Sequence, residues 1–227
     1  MQTAPKIVSA DELVVRQLGC RDYLATFRAM QDFTNARTAV TRDEIWLLEH
    51  PPVFTMGLKG REGTRAEING IPVAYADRGG DMTYHGPGQL VVYILMDLYR
   101  RGWGVKRLVN SLEQTVINLL AAYRMQATRR PGAPGVYVAA AKIAALGLRV
   151  RRGASYHGIA FNRDMDLTPF SYIDPCGYPG QPVTQLIDLG LRRDKAMVER
   201  DLIEQLTREL GYTAGLQASE NLPIGPQ

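Results

Sequence analysis

The chain has 227 residues, 45% of them hydrophobic and 22% charged, with a formal net charge of +4. That length and apolar content suffice for one α/β domain with a substantial core, and no stretch reaches the roughly eighteen uncharged apolar residues of a membrane-spanning helix. Basic residues are scattered apart from Arg149, Arg151, Arg152 and the Arg129-Arg130 pair. No aromatic stacking platform or reading motif accompanies them, so no nucleic-acid partner is expected, and the mild positive field suits an acidic protein partner better. Residues 1–19 carry neither a long apolar run nor a small-residue cleavage site, and Cys20 and Cys176 form no disulfide framework or CxxC pair. A soluble, cytoplasmic protein with free thiols and no membrane partner is expected.

In chain order, Tyr23, Leu24, Phe27, Met30 and Phe33 form a helical apolar stripe behind Asp22, which can cap the first turn. Strand-like runs follow at Glu44 to Leu48, Val73 to Ala76 and Gln89 to Met96. A second, longer helical stripe runs from Val105 through Leu112 and Leu119 to Tyr123. Pro131 to Gly135 reads as a loop, before strands over Val136 to Val138, Ile143 to Val150 and Tyr156 to Phe161, with Arg149 to Gly153 as a polar hairpin connection. A third helix through Met197, Leu202, Ile203, Leu206 and Leu210 stops at Gly211, suited to a left-handed cap. Strands in runs with few helices between them predict an α/β (α+β) fold, a single domain with a mixed β-sheet flanked by helices. Ala218 to Gln227 has the composition of a frayed tail, so residues 1–217 are expected to form the domain and 218–227 a flexible C-terminal tail.

The densest chemical text is Arg78-Gly79-Gly80-Asp81-Met82-Thr83-Tyr84-His85-Gly86-Pro87-Gly88-Gln89. Its glycines let backbone approach a ligand, and Arg78, Thr83, His85 and Gln89 offer donors at its edge, so it reads as a binding loop. It is neither GxGxxG nor a phosphate loop ending in Gly-Lys-Ser/Thr. Lys142 opens the apolar run Ile143 to Leu148, where a lysine ordinarily snorkels to the surface. Its alternative is electrostatic, an ammonium that favours a neighbouring thiolate. Cys176 sits in Asp174-Pro175-Cys176-Gly177. An inert packed thiol is the usual fate of a cysteine, but here proline and glycine set it where backbone amides can approach a nucleophile. Cys20 has no such context and reads as structural. His50, His85 and His157 are far apart in sequence and lack HExxH or cysteine partners, so no metal site is expected. His85 reads as a polar pocket wall, and His50 and His157 as holding loops by hydrogen bonds.

Taken together, five segments resemble the lipoyl(octanoyl) transferase family, within the lipoate/biotin protein ligase superfamily. They are Glu49 to Gly57, the glycine-rich loop continuing through Leu90 to Tyr93, Lys142 to Gly147, Tyr156 to Asn162 and Pro175-Cys176-Gly177, in the family order. Tyr137 stands where a tryptophan is more usual, and Tyr178 where an aliphatic residue is common; neither is expected to touch the chemistry. The resemblance implies the fold shared with lipoate and biotin protein ligases. It implies a cytoplasmic enzyme that moves an octanoyl (or lipoyl) group from acyl carrier protein to a specific lysine of lipoyl domains of 2-oxoacid dehydrogenases and of the glycine-cleavage H protein, in lipoate biosynthesis. Cys176 would carry the acyl thioester and Lys142 would lower its pKa. Arg78, Gly79, Gly80, Asp81, Met82, Thr83, Tyr84, His85, Ala145, Leu146, Gly147, Gly158, Ile159 and Ala160 would line the acyl site.

The residue chemistry is compatible with that relay. Thiolate attack on a thioester is nearly balanced and needs no ATP, metal or other cofactor, and attack by the acceptor amine then gives an amide downhill. Lys142 can take the proton the amine loses, and backbone N–H groups near Cys176 and Gly177 can face the oxyanion. Small residues at Gly79, Ala144, Gly147 and Gly158 leave room for an alkyl tail. An ATP-dependent lipoate ligase of the same fold would not require Cys176, and a cysteine hydrolase would release free acid.

Overall fold

A computed structural model of the chain describes residues 12–60, 66–174, 180–212, 214–219 and 222–223. Cys176, Gly177 and Tyr178 lie outside the described residues.

Alternating apolar side chains build the centre of the molecule. Strand β7 (Gln89–Leu95) turns Leu90, Val92 and Ile94 to one face and Val91, Tyr93 and Leu95 to the other, all buried. Strand β2 (Asp43–Glu49) divides in the same way, with Ile45 and Leu47 opposed to Trp46 and Leu48. A strand apolar on both faces belongs inside a sheet covered on both sides. These two lie within a seven-stranded mixed sheet that also contains β1 (Glu12–Cys20), β8 (Gly135–Val138), β9 (Ala141–Arg151), β10 (Ala154–Asn162) and β11 (Ala214–Ser219), ordered β11-β1-β2-β7-β10-β9-β8. The β11/β1 and β1/β2 pairs are parallel and the rest antiparallel.

Helices α2 (Val105–Ala122) and α3 (Lys195–Glu209) cover one face, where Leu108, Leu112, Val116, Leu119, Val198, Leu202 and Leu206 are buried. Helix α1 (Tyr23–Asn35) lies on the other; Asp22 caps it by accepting from the Ala25 N–H at 2.8 Å. A smaller sheet, β4 (Glu67–Ile68), β5 (Ile71–Tyr75), β3 (Val53–Met56) and β6 (Met82–His85), is ordered β4-β5-β3-β6. The expected fold class, helices and interior strands agree with this architecture. No helix among the described residues is long and apolar enough to cross a membrane.

Several local expectations are corrected. Met82 to His85 is strand rather than loop, paired antiparallel with β3, because only the flanking glycines break the extended run. The Arg149 to Gly153 connection shrinks to Arg152-Gly153, both at positive φ, the two-residue turn that suits the twist of a hairpin; Arg149 to Arg151 continue β9. Ala218 and Ser219 pair with β1, so the sheet reaches into the expected tail. Cys20 ends β1 exposed and is therefore no packed thiol.

Candidate active site

The α1 face of the large sheet holds a cavity whose floor follows from strand register. Tyr93, Gly158 and Gly147 form one row across β7, β10 and β9, and Val91, Ala160 and Ala145 form the next. Glycine and alanine at these crossings leave unfilled the space that larger residues would occupy. The roof is Tyr23 of α1, Thr83 and His85 of β6 and the turn bearing Arg78, Gly80 and Asp81, and with its open mouth the cavity amounts to about 490 Å³. Gly147 has a steric reason: a Cβ there would stand 2.8 Å from Arg78 Cδ.

Arg78, expected to offer donors to a ligand, spends them on the architecture. Its guanidinium donates to the Thr55 carbonyl at 2.7 Å, Thr55 Oγ1 at 2.8 Å and the Asp81 and Gly79 carbonyls at 2.9 and 3.1 Å. Gln89 is spent likewise, donating to the Tyr84 carbonyl at 3.2 Å and Asn162 Oδ1 at 2.9 Å.

Of the three histidines, distant in sequence, His85 and His157 line this cavity and the His50 ring lies 5.8 Å from that of His85. His50 Nδ1 donates to the Arg21 carbonyl at 2.7 Å, so its Nε2 accepts from the Tyr93 hydroxyl at 2.7 Å. His85 Nδ1 donates to Gln89 Oε1 at 2.7 Å and its Nε2 takes the Thr55 hydroxyl at 3.2 Å. His157 Nε2 is 3.0 Å from Asp77 Oδ1, and Tyr156 donates to the same carboxylate. Burial holds His50 at about 4 and His85 at about 3, and it also lowers His157, so all three are neutral near pH 7. Burial pushes Asp77 up, but bonds from His157 and Tyr156 outweigh it and hold Asp77 at about 2. His157 sits at φ 61 inside a strand, a strained conformation costing about 1–2 kcal/mol, and its ring stacks on Tyr156 and Phe27 and lines the cavity. Among the described residues no group of three or more His, Cys, Asp or Glu is arranged to hold a metal ion.

Lys142 lies on β9, the strand that continues into the cavity floor. It is 3% exposed and does not snorkel. Its Nζ is 3.4 Å from the Pro134 carbonyl and 5.3 Å from the centre of the Tyr137 ring, whose other cationic neighbour is Arg130 at 4.3 Å. Tyr137 is therefore a neighbour of Lys142. The turn at Pro134-Gly135 comes this close because Gly135, at φ 141, has no Cβ, which would lie 3.2 Å from Lys142 Cε. Glu113 of α2 pins the turn by accepting from the Gly135 N–H at 3.0 Å. The backbone of Lys142 is also claimed: its N–H donates to the Pro182 carbonyl at 2.8 Å and its carbonyl accepts from the Thr184 N–H at 3.0 Å. The segment that follows Cys176 in sequence, from Pro182 to Thr184, is thus laid along Lys142. Asn162 holds it from below, donating to the Thr184 carbonyl at 3.0 Å.

Of the residues expected to bind substrate, Arg78, Gly80, Asp81, Met82, Thr83, His85, Ala145, Leu146, Gly147, Gly158, Ile159 and Ala160 line this cavity. Two do not. Tyr84, alternating with Thr83 and His85 on β6, packs with Phe54, Met165 and Phe170, and Gly79 instead donates its N–H to the Leu148 carbonyl at 2.9 Å. Ala144, expected to make room for a tail, faces the α2/α3 core. Tyr23, Val91, Tyr93 and His157 were missed as wall residues. Tyr23 hid within an apolar helical stripe, and its position directly behind the Asp22 cap was the available signal.

Residues 22–210 match the family model described as the lipoyl protein ligase A/B catalytic domain. An octanoyltransferase of Thiobacillus denitrificans is 59% identical over 198 residues, 87% of this chain and 91% of that protein. Another, of Nitrosococcus oceani, is 52% identical over 217 residues, 96% of this chain and 97% of that protein. Among solved structures, lipoate-protein ligase A bound with ATP matches with a TM-score of 0.75 over 91% of this chain and 89% of that one, at 15% identity, a likeness of fold alone. With fold, sequence and length in agreement, the chain belongs to the lipoyl protein ligase A/B catalytic-domain family.

Proposed function

We propose that this protein is an octanoyltransferase that takes an octanoyl group from acyl carrier protein and delivers it to a lysine of a lipoyl domain, through a thioester on Cys176 assisted by Lys142. The curated relatives named octanoyltransferase support the reaction. The observation that carries the site is the course of β9, which takes Lys142 into Ala145, Leu146 and Gly147 at the cavity floor. An alkyl tail lying over the two floor rows has its reactive end toward Lys142.

Two steps follow. The Cys176 thiolate, favoured by the Lys142 ammonium, attacks the thioester carbonyl, a new C–S bond forms, the bond to the carrier sulfur breaks, and the carrier thiol leaves with a proton from Lys142, which becomes neutral. The acceptor amine then attacks, Lys142 takes the proton it loses, an amide forms and the Cys176 thiolate departs. The lipoyl-domain acceptor is proposed from the family, whose model is described as the lipoyl protein ligase A/B catalytic domain.

The test is intact-protein mass after incubation with octanoyl-acyl carrier protein without ATP, for wild type and Cys176→Ser, followed by a lipoyl domain. One octanoyl adduct, absent in the variant and moving to the lipoyl-domain lysine, is expected. Transfer that proceeds fully in Cys176→Ser, or that requires ATP, would sink the reading, and release of free octanoate in place of octanoyl-lysine would make the protein a hydrolase.

A further inference from the structure

Tyr23 is the first residue of α1, 3% exposed, and part of the cavity wall. Its hydroxyl has no hydrogen-bond partner among the described residues. Both neighbouring imidazoles are already engaged. Tyr23 lies 5.3 Å from the His50 ring and 6.1 Å from the His85 ring, centre to centre, and the bonds described above occupy both nitrogens of each. Tyr93 gives its proton to His50. Burial raises the pKa of Tyr23 far above its ordinary value, so the hydroxyl remains a donor throughout the neutral range. A buried tyrosine hydroxyl usually finds an acceptor, and one left unpaired is destabilising. The cavity that Tyr23 lines is where a ligand can bring that acceptor.

An alkyl thioester brings one strong acceptor, its carbonyl oxygen; the tail has none and sulfur is weak. We propose that Tyr23 Oη donates a hydrogen bond to the carbonyl oxygen of the bound acyl thioester and holds that oxygen as it becomes an oxyanion. The inference rests on the acyl-transfer reading above. During attack the nucleophile's sulfur bonds to the carbonyl carbon and the π pair moves onto the oxygen. Tyr23 keeps its proton throughout, and the pair returns as the bond to the leaving sulfur breaks. A fixed donor in a water-poor site, aimed where charge develops, stabilises the transition state more than the ground state.

Tyr23→Phe tests this with two readouts of opposite sign. On the full chain with octanoyl-acyl carrier protein and a lipoyl domain, kcat falls about 10²-fold. KM for the donor stays within roughly threefold, because the lost bond matters chiefly in the transition state. The melting temperature of the free enzyme holds or rises by roughly 2–4 °C, since an unpaired buried hydroxyl has been removed. A fall in melting temperature with a matching loss of activity would mean that the hydroxyl serves the fold, and the proposal fails. Unchanged kcat, with or without a change in KM, also overturns it, because the hydroxyl then contacts no reacting atom. Failure of the underlying reading looks different. Wild type that transfers octanoyl without an adduct on Cys176 removes the thioester relay while the Tyr23→Phe deficit is still read on transfer from the carrier thioester. Wild type that transfers nothing overturns both.

Discussion

The two faces of the large sheet use the same strands to opposite ends. Toward α2 and α3, β7 and β10 present Leu90, Val92, Ile94, Ile159 and Phe161, which share one buried cluster with helical side chains such as Leu112 and Leu202. Toward α1, the next residues along the same strands are Val91, Tyr93, Gly158 and Ala160, and the space left by the small ones becomes the cavity. One face is closed by volume, and the other is held open by hydrogen bonds around it: Arg78 to Thr55, Thr55 to His85, His85 to Gln89, Gln89 to Asn162 and Asn162 to Thr184, beside Lys142. A two-residue period thus separates a stability problem from a chemical one within a single strand.

Variants can break that division. The largest effect is expected from Lys142→Met on the chemical face: octanoyl transfer falls about 10²–10⁴-fold and alkylation of Cys176 at neutral pH slows, while the melting temperature changes little. Equal alkylation rates in variant and wild type would show that the lysine does not activate the thiol. Leu112→Ala, on the closed face, is expected to cost about 2–5 kcal/mol by denaturant midpoint and to leave acyl-chain preference unchanged. A shifted preference would mean the faces are not independent. Asn162→Asp keeps an acceptor for Gln89 but sets a carboxylate oxygen against the Thr184 carbonyl, a loss of about 1–3 kcal/mol. Acylation of Cys176 should slow by tenfold or more with donor binding intact, and rapid kinetics showing weaker donor binding instead would place Asn162 in the pocket rather than behind Lys142.

A further effect concerns pH. His50 and His85 are neutral in the fold at about 4 and about 3, against about 6.5 in the unfolded chain. As pH falls below about 6.5 the unfolded chain binds protons that the folded one refuses, so stability drops, by about 1–2 kcal/mol per histidine at pH 5. Asp77, held at about 2, acts only at lower pH. Denaturant midpoints at pH 7 and pH 5 check this, and a His50→Gln, His85→Gln double variant should flatten the difference.

Most of the floor and mouth of the cavity was legible through the family resemblance, whose segments Arg78 to His85, Ala145 to Gly147 and Gly158 to Ala160 all line it apart from Gly79 and Tyr84. The missing residues depend on partners far along the chain. Nothing local shows that Tyr137 will meet Lys142, since that contact comes from the β8/β9 register. Nor does anything local show that Asn162 will hold Thr184, or that His50 and Tyr93 will bond across β2 and β7. Short strands such as β3 and β6 were hidden because their residues are few and flanked by proline or glycine, whereas long periodic helices such as α2 announced themselves.

The claim that the open face is the acyl site is tested most directly by Ala160→Val, which adds two methyl groups to the cavity floor on a strand that accepts a β-branched residue. Rates with hexanoyl and octanoyl carrier-protein donors should be compared in variant and wild type. Ala160 lies in the floor row nearer Lys142, beside methylenes that both chains carry, so displacing two of them at about 0.8 kcal/mol each predicts that kcat/KM falls about 15-fold for both donors at unchanged stability. Rates within about twofold of wild type for both donors would contradict the account and place the acyl tail elsewhere.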